Sequence, residues 1–155
     1  MKKIFKLLIS VVIPLLIGFL GSFFTSSSVN SWYETINKPF FNPPNWVFGP
    51  VWTVIFILIG ISFYLIWEKD FGKNKKKVIS IYFYQLFLNF LWSILFFGLK
   101  APLLAVIEII VLWFFILKNM NVFYKISKTA GYLFIPYLLW VSFATILNFA
   151  IVLIN

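Results

Sequence analysis

Five stretches of this chain, residues 5–25, 47–67, 78–98, 102–118 and 131–153, are long and apolar enough to dictate the environment in which it folds. A helix needs roughly 20 apolar residues to cross the hydrocarbon core of a bilayer. Only helices and closed barrels satisfy their backbone there, and runs of this length without strict alternation read as helices. The composition agrees, with 63% hydrophobic and 11% charged residues among 155, too little charge to cover a soluble domain. The expected fold is an all-α integral membrane protein, a five-transmembrane-helix bundle forming one membrane domain over residues 1–155. Gly98-Leu99-Lys100-Ala101-Pro102 reads as a tight turn that makes the third and fourth spans a hairpin.

The start of the chain has the outline of a secretory signal: Lys2, Lys3 and Lys6, an apolar run, then Ser26-Ser27-Ser28. The run is long and lacks a clean small-x-small cleavage site, so it reads as a retained first helix. With five spans, the N-terminus, the 68–77 loop and the 118–130 loop share one side and hold eleven of the thirteen lysines. Only Lys38 and Lys100 fall on the other. The positive-inside rule then puts the N-terminus in the cytoplasm and the C-terminus outside. The same lysine excess explains the net charge of +9 without a nucleic-acid partner, for which arginine and a soluble basic face would be expected.

Neither cysteine nor histidine occurs. Disulfides, thiol chemistry, the usual zinc sites, histidine-ligated haem and a Ser-His-Asp triad are therefore excluded. No metal site, no cofactor and no conventional catalytic constellation is expected.

What remains unusual is the segment between the first two spans. Trp32-Tyr33, Lys38-Pro39, Pro43-Pro44, Trp46 and Pro50-Val51-Trp52 crowd rigid and aromatic residues into a connection that is expected on the outer face. Polar groups inside the spans are costly unless paired or facing a cavity. On the third span Gln85, Asn89 and Ser93 recur at helical spacing, with Trp92 beside them. On the fifth, Tyr137, Trp140, Ala144, Leu147 and Asn148 share a face. On the second, Trp52, Phe56, Gly60, Phe63 and Trp67 form an aromatic stripe notched by glycine. Glu108 is the one acid inside a span, roughly 9 Å from Pro102 along the helix. Each has a plain alternative: interhelical hydrogen bonding for the amides, an interfacial belt for Trp32, Trp46 and Trp67, and a backbone or Asn89 partner for Glu108. Gly18 and Gly21 on the first span read as packing contacts. Taken together, aromatic and polar groups from several helices converge under the proline-rich loop, and flat walls with few polar anchors suit a planar, largely apolar ligand.

The loop pattern resembles the signature of the tryptophan-rich sensory protein/translocator protein family, also called the peripheral-type benzodiazepine receptor family. Leu88-Asn89-Phe90-Leu91-Trp92 through Phe96-Phe97-Gly98 is similar to its third-helix motif, and Pro136 to Asn148 to its fifth. Ile13-Pro14 with Gly18 and Gly21 fits its first helix, so the resemblance runs over nearly the whole chain. It implies a homodimer of five-helix bundles in a membrane, and the richness in Phe, Ile, Lys and Asn points to a bacterial cell membrane. It implies a pocket closed by the 26–46 loop that takes porphyrins such as protoporphyrin IX, sterols, and isoquinoline or benzodiazepine-type drugs. Its pocket tryptophans fall on Trp52 and Trp140, implicated in some members in light-dependent oxidative breakdown of protoporphyrin IX. Its pocket asparagine falls on Asn89, its ligand-contacting alanine on Ala144 and its acidic position on Glu108.

The chain departs from the family at Phe41 and Leu104, where tryptophan is frequent. The animal members' C-terminal cholesterol motif is absent, because no basic residue follows Asn148. Val122 to Lys128 matches the loose form of that motif only in a loop, which is weak support. The expected ligand-binding set is Trp32, Tyr33, Pro44, Trp52, Phe56, Asn89, Trp92, Glu108, Tyr137, Trp140, Ala144, Leu147 and Asn148. Lys38 is a candidate partner for a propionate, or else a solvated loop lysine. The expected function is a membrane receptor or sensor for tetrapyrroles, with light-driven porphyrin degradation at Trp52 and Trp140 as an added activity. The alternative is a transporter of porphyrins or other lipophilic small molecules, against which stands the lack of an inverted repeat.

Overall fold

A computed structural model describes residues 2–70 and 72–155. Its long helices are α1 (Lys3–Val29), α3 (Asn45–Trp67), α4 (Lys75–Ser93), α5 (Pro102–Ile126) and α7 (Ile135–Ile154); α2 (Trp32–Thr35) and α6 (Lys128–Tyr132) are short. Five helical segments are long and apolar enough to cross a membrane, and they coincide with the five expected spans. The protein is an integral membrane bundle.

One helix end differs clearly from expectation. The fourth span continues to Ile126 rather than stopping at 118. Hydropathy stops at the first polar residues, Lys118 and Asn119, but neither breaks a helix, and the winding continues through them. Ser127 then breaks the chain and caps α6, its Oγ accepting the Ala130 N–H at 3.3 Å. The connection expected over 118–130 is thus almost wholly helical. The third span ends in a π-helical turn, Ile94–Gly98, in which Leu99 N–H reaches back to the Ile94 carbonyl at 2.7 Å. The extra residue in that turn lets consecutive Phe96 and Phe97 both be buried. The hairpin follows at once, with Lys100 in the left-handed region at φ 53° and Pro102 opening α5, where its missing N–H costs nothing.

Around the bundle, α1 lies between α3 and α4, α4 packs on α5, and α5 packs on α7. Only a narrow seam of α7 returns to α3. Helices α1 and α3 cross closely at Gly60, where an added Cβ would stand 2.7 Å from the Ser10 carbonyl oxygen and the Val11 Cα. Near the lysine-rich end the interior is filled: Tyr82 stacks on Phe63 at 4.5 Å and on Phe123 at 5.8 Å between centroids. Ser62 Oγ there donates to the Ala130 carbonyl at 2.7 Å, while the buried Ser10 and Asn119 side chains find no partner among the described residues. Toward the other end the helices part, and the interior is not filled.

Candidate functional site

The opening between the helices is a cavity of about 330 Å³, bounded by α1, α3, α4 and its π turn, and α7, with Tyr33 of α2 above. Burying so many aromatics on different helices fixes its shape, because each ring is held by a neighbour. Trp52 stacks on Phe56 with centroids 5.6 Å apart and planes at 25°. Trp140 faces Phe48 of α3 at 6.1 Å and Phe143 one turn along at 5.5 Å. Trp92 stacks on Phe96 at 5.0 Å.

The few polar groups are mostly held by partners outside the cavity. Asn89 Nδ2 donates to the Tyr137 hydroxyl at 2.9 Å, and that hydroxyl donates to Gln85 Oε1 at 2.8 Å. The chain of three fixes the Asn89 amide at the cavity's inner end. Trp92 Nε1 donates to Asn148 Oδ1 at 3.1 Å, while Asn148 Nδ2 donates to the Pro102 carbonyl at 3.0 Å. Trp140 Nε1 is buried and meets no acceptor among the described residues.

Above the cavity the connecting segment is pinned rather than loose. Tyr33 is 2% exposed, packs on Phe96 and Phe97, and donates its hydroxyl to Asn42 Oδ1 at 2.6 Å. Burial pushes that hydroxyl's pKa up to about 12, with the Asn42 bond pulling the other way. Lys38 Nζ donates to the Tyr33 and Ile36 carbonyls at 2.7 and 3.1 Å and sits 5.0 Å over the Tyr33 ring. Its ammonium thus closes the segment on itself, in place of the solvated or ligand-directed lysine read from sequence. Asn155 fastens the segment to the end of α7, exchanging two bonds with the Asn37 backbone at 2.9 and 2.8 Å.

Of the residues singled out from sequence, Tyr33, Trp52, Phe56, Asn89, Trp92, Trp140, Ala144, Leu147 and Asn148 line the cavity. Four do not. Trp32 packs edge-on against Phe96, and Pro44 lies exposed at the start of α3. Tyr137 stands behind Asn89 as its hydrogen-bond partner. Glu108 is buried on α5, and neither carboxylate oxygen has a partner among the described residues, Asn89 included.

One face of α1 belongs to the cavity as well. Gly18 and Gly21 do pack, the first against the Phe56 ring and the second against Ser93, yet both also form cavity wall together with Ser22 and Thr25. Their spacing of i, i+3, i+4 and i+7 is a helical face of small residues, a signal present in the sequence. Gly49 and Thr53 of α3 border the same side.

The chain has relatives among known proteins over most of its length. The chain is 51% identical over 153 residues to the tryptophan-rich protein TspO of Archaeoglobus fulgidus, covering 99% of each. It is 35% identical over 126 residues to the tryptophan-rich sensory protein of Cereibacter sphaeroides, covering 81% of this chain and 78% of that one. With the human translocator protein it shares 34% identity over 140 residues, 89% of this chain and 83% of that one. The sequence profile of the TspO/MBR family matches residues 10–154, and the chain belongs to that family.

Proposed function

We propose that this protein is a membrane receptor that binds tetrapyrroles such as protoporphyrin IX, and related planar apolar molecules, in the cavity under Tyr33. The observation that carries the reading is the wall itself. Trp52, Phe56, Trp92 and Trp140 offer flat aromatic surface, and the Asn89 and Asn148 amides are the polar groups held at fixed positions. Aromatic faces with a few placed polar anchors are what an extended, largely apolar ring system requires. The segment 26–46 acts as the lid. The lysine-rich end faces the cytoplasm, which sets the cavity toward the outer side of a cell membrane, and two copies associate as a homodimer.

The test is a titration of the purified protein with protoporphyrin IX, following tryptophan fluorescence in the dark and then under illumination. Saturable quenching in the dark is the expected result, and its absence sinks the reading. New absorption bands that grow only under light, and only with protein present, would add turnover at Trp52 and Trp140 to binding.

A further inference from the structure

At the lysine-rich end a second cavity, about 260 Å³, lies between the start of α4 and the end of α5. Its floor is Val78, Ile81, Val122 and Ile126, and its rim carries Lys77, Lys125 and Asn74. Both lysines are exposed, and no acid contributes to the lining. The nearest acids by sequence are otherwise occupied: Glu68 pairs with Lys6 at 3.2 Å, and Asp70 accepts the Gly72 N–H at 3.2 Å. Among the described residues Lys77 and Lys125 have no ion-pair partner.

We propose that this groove binds an acidic phospholipid, with the headgroup phosphate between Lys77 and Lys125 and an acyl chain along the apolar floor. Charge complementarity and position select that occupant. The groove sits where two membrane-spanning helices reach the bilayer surface, so hydrocarbon borders its floor and headgroups border its rim. Two ammonium groups over four aliphatic side chains match an anion joined to a hydrocarbon tail. A free phosphate would leave the floor uncovered, and a zwitterionic lipid would bring its own cation against the lysines. The site is separate from the aromatic cavity and stands whether or not that cavity takes porphyrins.

Native mass spectrometry of the full chain in neutral detergent tests it, with phosphatidylglycerol and phosphatidylcholine of matched acyl chains added in turn. The parent should retain one phosphatidylglycerol in preference to phosphatidylcholine. Lys77→Gln combined with Lys125→Gln should lower that retention roughly tenfold, each lysine contributing a few-fold, and leave phosphatidylcholine unchanged. Lys73→Gln combined with Lys128→Gln removes the same charge away from the groove and should leave retention as it was. Equal losses in the two double variants would reduce the effect to bulk attraction and overturn the proposal. Undiminished retention in the groove variant would overturn it too. Displacement of the lipid by millimolar inorganic phosphate would reassign the groove to a free anion.

Discussion

Trp52 and Trp140 meet edge to face, their ring centroids 6.4 Å apart and their planes at 88°, across the seam where α3 and α7 barely touch. The pair forms a corner of the cavity and bridges a junction that few other contacts close. Alanine at either position removes one wall and should weaken protoporphyrin IX binding about 5- to 30-fold, the range for losing one large aromatic anchor. Phenylalanine should cost less, because it keeps a flat face. Dark fluorescence titration reads both, and an unchanged affinity in the two alanine variants would take the ligand out of this cavity.

The Tyr33 hydroxyl gives the lid a signature in alkali. Its pKa in the folded protein is about 12 against an ordinary 10, so folding favours the protonated form. The stability this group supplies is complete below pH 10 and is lost as pH rises from 10 to about 12. Tyr33→Phe, which has nothing to titrate, should show a shallower fall in thermal stability over that interval than the parent. It should also lose about 1 kcal/mol at neutral pH, since Asn42 is left without its donor. Parallel alkaline profiles would show that Tyr33 is not buried as described.

Two glycines that look alike in sequence should separate in experiment. At Gly60 a methyl group meets the backbone of α1, which cannot step aside without moving the helix. Gly60→Ala should therefore destabilise the bundle by about 1–3 kcal/mol, the range for overpacking. At Gly18 the added Cβ would stand 2.4 Å from Cε2 of Phe56, the far end of a side chain that borders the cavity. Gly18→Ala should cost little stability and should impair ligand binding instead. Melting curves beside titrations distinguish the two, and a large stability loss at Gly18 would contradict the assignment.

Glu108 is buried with both carboxylate oxygens unpartnered among the described residues. A charge in that position is penalised, and an amide of nearly the same shape is penalised less. Glu108→Gln should therefore melt no lower than the parent in detergent at neutral pH. A drop of several degrees would reveal a partner for the carboxylate.

The number of spans was legible because about 20 apolar residues per crossing is a constraint of the solvent. The hydrogen-bonded face of α4 was legible as well. Gln85 and Asn89 recur one turn apart, and in the fold one Tyr137 hydroxyl serves both. The wall formed by α1 was less visible, because small residues signal close approach without saying whether another helix or a cavity lies opposite. Gly18 and Gly21 face both. Trp32, expected among the pocket residues, packs instead on Phe96 beside the cavity, since a pocket wall and a packed lid call for the same residue type. For Glu108, helical spacing along α5 alone could not give the direction it faces relative to α4 and α7.

The π turn at Ile94–Gly98 has a consequence for the ancestry and engineering of the bundle. Such a turn is the imprint of one residue inserted into a helix and absorbed locally, so everything beyond it is rotated by about 100° relative to an uninterrupted α-helix. Removing a single residue from this turn would restore regular winding and swing the hairpin at Lys100 around the axis of α4. Phe96 and Phe97 could then no longer both face inward beneath Tyr33. A one-residue deletion here would act as a frame change in three dimensions, harmless to helix content and ruinous to the ceiling of the cavity.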